Sequence, residues 1–133
     1  VAVRGWLVDN SAAARQNDPG VRRQLDELTG MLYVCLVGEL EQLYSARSAR
    51  DYDAMRSALQ DRFVIVAAPP DLLDRALRLQ RDLAHHHGLW HRIPIPDLLI
   101  AETALAHDLG VLHVDGDFER IIEVRPLVVR RLG

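Results

Sequence analysis

Short apolar runs alternate along this chain with longer segments whose apolar residues recur at helical spacing, and this alternation constrains the fold more than any other feature. Gly5–Val8 (GWLV), Met31–Cys35 (MLYVC), Phe63–Ala67 (FVIVA) and Val111–Val114 (VLHV) read as strands, with Leu127–Val129 as a fifth. Between them, Pro19 opens a helical segment to about Leu28, with Gly30 as its stop. Leu36, Leu40, Leu43 and Tyr44 predict a helix running to about Arg50, and Asp51–Arg62 another. Asp71–His87 carries Leu72, Leu73, Ala76, Leu79, Leu83 and His86 on or near one stripe. Pro96–Leu109 is the clearest helix, with Pro96 at its first position, Asp97 in its first turn and Gly110 as its stop. Strands separated by helices imply βαβ units. The fold class is therefore α/β, a mostly parallel sheet of four to five strands with helices on both faces.

Composition narrows what such a chain does. Its 133 residues suit one domain, and no Gly/Ser-rich linker, repeat or low-complexity tract divides it, so residues 1–133 read as a single unit. The longest apolar stretch, Phe63–Pro70, has eight residues, far short of the roughly 20 that cross a bilayer. Arg4 and Asp9 flank a short apolar segment, so the N-terminus does not read as a secretory signal. One cysteine, Cys35, forms no internal disulfide and fits a reducing cytoplasm; it reads as a buried core residue. All 16 basic residues are arginines, against 19 acids, for a net charge of −3. That balance argues against a general polyanion binder, and the lack of lysine removes any mechanism that needs an amine.

In an open parallel sheet, ligands bind beyond the carboxyl ends of the strands. Asp9 follows the first strand, with Asn10 and Ser11 beside it; Asp115 follows the fourth, with Asp117 two residues on. Asp97 opens the long helix, and Glu39 and Glu41 lie in the first turns of the helix after the second strand. Singly, each has an ordinary explanation: Asp97 would favour a helix dipole, and Asp115-Gly116-Asp117 would make a turn. Together they place four or five carboxylates at one rim. Two carboxylates about 4 Å apart repel by roughly 4 kcal/mol at an effective dielectric near 20, so such a cluster needs protons or a cation. Oxygen-only donors favour Mg²⁺ or Mn²⁺ over zinc, and an open acidic site holding such an ion suits phosphodiester hydrolysis.

At WLVDNSAAAR (6–15), LEQLYSAR (40–47), IPIPDLLIAETA (93–104) and HVDGDFERI (113–121) the sequence resembles the PIN-domain ribonucleases, and among them the VapC-type toxins of bacterial toxin–antitoxin pairs. The resemblance implies a PIN-like α/β/α sandwich. It also implies an acidic pocket of Asp9, Glu41, Asp97 and Asp115 around one or two Mg²⁺ or Mn²⁺ ions, with Asp117 as a fifth member and Ser11 hydrogen-bonding within the site. Helical spacing leaves Glu39 and Glu41 equivalent, on opposite flanks of the apolar stripe; only the family pattern selects Glu41. Glu102, where the family has a small residue, reads as solvent-facing. The implied reaction is endonucleolytic RNA cleavage by metal-activated water in the cytoplasm, with Arg47, Arg50 and Arg92 as candidates to hold the RNA backbone. A VapB-type antitoxin and a homodimer are the implied partners, part of the antitoxin contact being a helix in an apolar groove.

Other features carry less. His85, His86 and His87 are consecutive and point in different directions on a helix, so a metal site there is disfavoured, with His86 expected to pack toward the core. Trp6 reads as core, while Trp90 fits either core or a contact with RNA or a partner. Receiver domains and haloacid-dehalogenase-like phosphatases also place acids after strands but need a lysine, which this chain lacks. An RNA-processing nuclease outside a toxin–antitoxin pair, and an inactive PIN-like binding module, are the remaining alternatives.

Overall fold

The computed structural model describes residues 3–133. Five strands, β1 (Trp6–Val8), β2 (Leu32–Cys35), β3 (Val64–Val66), β4 (Gly110–His113) and β5 (Val129–Arg131), form one sheet in the order β3-β2-β1-β4-β5. Every neighbouring pair is parallel, with Leu7 opposite Tyr33 on one side and Val111 on the other. The chain builds outward from β1 in one direction to β3 and then returns to add β4 and β5 on the other flank. The ends of β1 and β4 therefore flank the point where the connections diverge, and a crevice opens there.

Successive strand side chains point to opposite faces, and both faces are covered. Leu7, Cys35 and Val111 pack with α5 (Leu72–His86) and α6 (Ile95–Ala106). Val8, Val34 and Leu112 pack with Ala12 and Ala13 of α1 (Asn10–Ala13), Val21 and Leu25 of α2 (Pro19–Glu27), Leu43 of α3 (Leu36–Leu43) and Leu59 of α4 (Ala49–Arg62). The Asp18 side chain accepts from the N–H groups of Gly20 and Val21 ahead of Pro19, starting α2 as the sequence leads one to expect. Gly30 follows at a φ of 90°, a conformation that favours glycine.

Several boundaries and placements differ from the expectations. The helix predicted to reach Arg50 ends at Leu43. Tyr44 is 91% exposed and has no packing to hold it; Ser45 bonds back to the Gln42 carbonyl, and Ser48 caps the new helix α4 by accepting from Asp51 N–H. Gly110 is not the stop of α6 but the first residue of β4. The chain turns instead at Asp108, with φ 57°. Gly110 is needed for space, since a Cβ there would lie 2.5 Å from the Trp6 ring, which covers it as its cross-strand partner. The last strand lies two residues later than predicted, at Val129–Arg131.

Trp6 itself is half-buried against the core. Leu73 is exposed, because the buried stripe of α5 runs Leu72, Ala76, Leu79, Leu83. His86 points outward, 3.8 Å from Glu123 and beside the Trp90 ring. Short segments without enough periodicity to be seen in sequence form α1, α7 (Phe118–Ile121) and a 3₁₀ turn at Trp90–Arg92.

Glu102 is the largest departure. It lies 4% exposed on α6, where Arg125 Nε approaches its Oε2 at 3.3 Å while Arg125 Nη1 meets Asp82 at 2.8 Å. α6 is covered by α5 and by the segment after α7, so the face expected to meet solvent is interior. A buried carboxylate without its arginine would be strongly unfavourable.

Candidate active site

The crevice beyond β1 and β4 is an open cleft of about 410 Å³ lined by Asp9, Ser11, Arg15, Glu41, Asp97 and Asp115 to Asp117, together with Asn10, Ala14 and Pro94. All five carboxylates expected from the sequence face one space. Glu39 does not: it points into a separate groove between α3 and α4, 3.5 Å from Arg56 Nε. The choice that helical spacing left open is decided by the roll of α3 on the sheet. Arg92 is exposed on the 3₁₀ turn, and neither it nor Arg47 or Arg50 lines the cleft.

Backbone hydrogen bonds hold this geometry. Asp9, 4% exposed, donates its N–H to the Leu112 carbonyl at 2.9 Å and accepts from Ser11 N–H at Oδ2, which fixes its carboxylate at the start of α1. The Ser11 hydroxyl accepts from Val114 N–H at 2.9 Å and Asp115 N–H at 3.4 Å, so the turn after β4 is tied to the segment after β1. Asp97 Oδ2 accepts from Asp117 N–H at 3.2 Å, joining α6 to the same turn. His113, fully buried at the end of β4, accepts the Gly116 N–H at Nδ1 (3.0 Å), while its Nε2 stands 3.0 Å from Glu119. Asn10 is bridged to α3 by Gln42, one residue after Glu41. No sequence pattern singles out His113; for Arg15 the one hint is its place four residues after Ser11 in the WLVDNSAAAR stretch.

The acids perturb one another. Asp97 is pushed up to about 7, first by burial and then by the charges of Asp9, Asp117 and Glu41, against the lowering effect of the Asp117 N–H. Glu41 is raised by burial and by Asp9, and its Oε1 is buried without a hydrogen-bond partner. Oxygen donors that crowd, hold protons and leave a buried atom unpaired match what a hard divalent cation neutralises. As placed, no three of the described His, Cys, Asp and Glu side chains close around a single point. Asp115 is turned aside, its Oδ2 paired with Arg15 Nη2 at 2.8 Å. Elsewhere, burial pushes the Cys35 thiol up, as suits an inert core residue.

A parallel α/β/α sandwich with a carboxylate-lined cleft at the switch between β1 and β4 is the class that fold and site define. The chain belongs to the PIN domain family, whose model matches residues 8–124. It is 53% identical over 121 residues to Ribonuclease VapC17 of Mycobacterium tuberculosis H37Rv, covering 91% of this chain and 90% of the relative. It is 37% identical over 121 residues to Ribonuclease VapC21 of the same strain, covering 90% and 87%. Among solved structures it superposes on a chain of VapBC2 from Rickettsia felis bound to a DNA fragment from their promoter, with a TM-score of 0.79, 15% identity and coverage of 96% and 98%. It also superposes on a chain of VapBC-5, a member of the VapBC family of toxin–antitoxin systems from M. tuberculosis, with a TM-score of 0.69, 21% identity and the same coverage. At those identities the structural likeness speaks to the fold. None of the described helices is long and apolar enough to cross a membrane.

Proposed function

We propose that this chain is a divalent-metal-dependent endoribonuclease acting as the toxin of a VapBC-type pair. The observation that carries the reading is the meeting of Asp9, Glu41, Asp97 and the Asp115–Asp117 turn in one cleft, in a chain 53% identical to a protein named a ribonuclease.

Asp9, Glu41, Asp97 and Asp115 would hold Mg²⁺ or Mn²⁺, with Asp117 as the fifth acid. A cation there supplies neutralisation of phosphate charge and a bound water of lowered pKa. The chain's own groups do the positioning. Asp9 is fixed by Ser11 N–H, and Asp97 by Asp117 N–H. The Ser11 hydroxyl keeps the β1 and β4 loops in register. Asp97, with its proton affinity raised to about 7, loses its proton in the range where a cation competes for it.

RNA as substrate, a VapB-type antitoxin and a homodimer belong to the same reading. The groove between α3 and α4, where Leu36, Leu40 and Tyr52 are exposed around Glu39 and Arg56, suits the apolar face of an antitoxin helix. The purified chain should cut RNA with Mg²⁺ or Mn²⁺ and stop on chelation. Sequenced fragments should carry 5′-phosphates, and co-expression with the reading frame upstream of its gene should suppress cutting. Cleavage that survives exhaustive chelation, or none in any divalent ion, would refute the proposal.

A further inference from the structure

Arg15 is the one arginine that lines the acidic cleft among the described residues. It leaves the end of α1 and is anchored from below by its Nη1, which donates to the Ser11 carbonyl at 2.8 Å. Its Nη2 reaches Asp115 Oδ2, also at 2.8 Å. These contacts use two of the five N–H donors of a guanidinium. Both partners of the Asp115 pair are about half exposed, at 46% and 55% of their side-chain surface. Such a pair contributes about 0–1 kcal/mol to stability, so holding the fold together does not account for it.

The charge pattern accounts for it better. A phosphodiester approaching this cleft meets five carboxylates and a single positive side chain. The three arginines that the sequence offers as backbone contacts, Arg47, Arg50 and Arg92, lie outside the cleft. Asp115 gives Oδ2 to Arg15, and swinging that oxygen inward to a cation would give up the pair. An Asp115 turned inward leaves the guanidinium tethered to the Ser11 carbonyl, at the mouth of the cleft and without a counterion. A guanidinium fork matches the two non-bridging oxygens of a phosphodiester.

We infer that Arg15 is the substrate-phosphate clamp of this site, exchanging its pairing with Asp115 for a non-bridging phosphate oxygen when RNA binds. The inference rests on the nuclease reading above. Binding of a mixed-sequence 20-nucleotide single-stranded RNA is measured by fluorescence anisotropy in Mg²⁺, in the Asp97→Asn background so that cleavage is slowed by about 100-fold or more. Adding Arg15→Ala should weaken RNA binding about tenfold and flatten the dependence of affinity on salt by about one phosphate contact. Arg15→Lys should retain part of both, since it keeps the charge and loses the fork.

Calorimetric Mn²⁺ affinity and thermal midpoint, measured with Arg15→Ala in the otherwise unaltered chain, should be unchanged or raised. Equal RNA affinity and salt slope with and without Arg15 would overturn the inference. So would a loss of Mn²⁺ affinity in Arg15→Ala, which would make the arginine a support of the acids. Should Arg15→Ala not fold, the Lys variant decides by the same two readouts, RNA affinity and its salt slope. If the unaltered chain cuts no RNA in any divalent ion, the nuclease reading itself falls, an outcome distinct from an Arg15-independent affinity.

Discussion

Asp97 and Asp117, on different elements, are joined by one hydrogen bond: the Asp117 N–H donates to Asp97 Oδ2 at 3.2 Å. A carboxylate in the first turn of a helix therefore accepts from the turn after β4 and does not cap its own helix, for which no side-chain cap bond exists. The bond holds Asp97 among the other acids, where burial and their charges raise its proton affinity.

Replacing Asp97 by Asn should cut RNA cleavage by about 100-fold or more and leave the fold intact, because the amide oxygen still accepts from Asp117 N–H. Without metal at pH 8, the variant should be at least as stable as the parent, one crowded charge having been removed. A marked fall in its thermal midpoint would make Asp97 a structural residue.

The metal-free protein should lose stability as pH rises. The Asp97 carboxyl titrates near 7 when folded and near 3.9 when unfolded, so between those values the folded state holds the extra proton. Its contribution is full below about pH 4 and is lost as pH rises through about 7; Glu41, also raised, has the same sign. Urea unfolding of chelated protein at pH 5 and pH 8 should show the decline, by a few kcal/mol at most on the rule of about 1.4 kcal/mol per pKa unit. The slope should be shallower in Asp97→Asn, and Mg²⁺ or Mn²⁺ should restore stability at pH 8.

Glu39 and Glu41 should separate cleanly. Glu41→Gln should abolish cleavage, whereas Glu39→Gln should leave it within about threefold, because Glu39 faces Arg56 in the other groove. Equal losses in a cleavage assay would contradict that division.

Arg125 should matter to stability alone. Arg125→Ala leaves Glu102 buried without its cation and should cost about 3 kcal/mol near neutral pH. The cost should shrink in acid, where Glu102, already raised by burial, takes up a proton. Adding Glu102→Met should recover much of the loss, an outcome that denaturant titration of the three variants reads directly.

Gly116→Ala tests the turn. Its Cβ would lie 2.5 Å from the ring of Phe118, which is fully buried and cannot yield, and 3.5 Å from Asp9 Oδ2. Destabilisation of about 1–3 kcal/mol from overpacking, with a larger loss of cleavage than of folded protein, is expected. Circular dichroism melts beside the cleavage assay would expose the opposite ranking.

The sequence by itself determined the parallel α/β frame, because apolar runs of strand length between amphipathic helices have few ways to be buried. It also determined which acids follow β1 and β4 and open α6, since strand ends are marked by abrupt changes of polarity. Tertiary structure decided what local pattern cannot carry. The roll of α3 sends Glu41 to the cleft and Glu39 away. The packing of α5 and Arg125 over α6 buries Glu102. The closeness of the β1 and β4 ends brings Arg15 to Asp115, 100 residues away. Each of these is a long-range relation, set by which faces meet when the layers stack, and periodicity along one segment contains no record of its neighbour across the sheet.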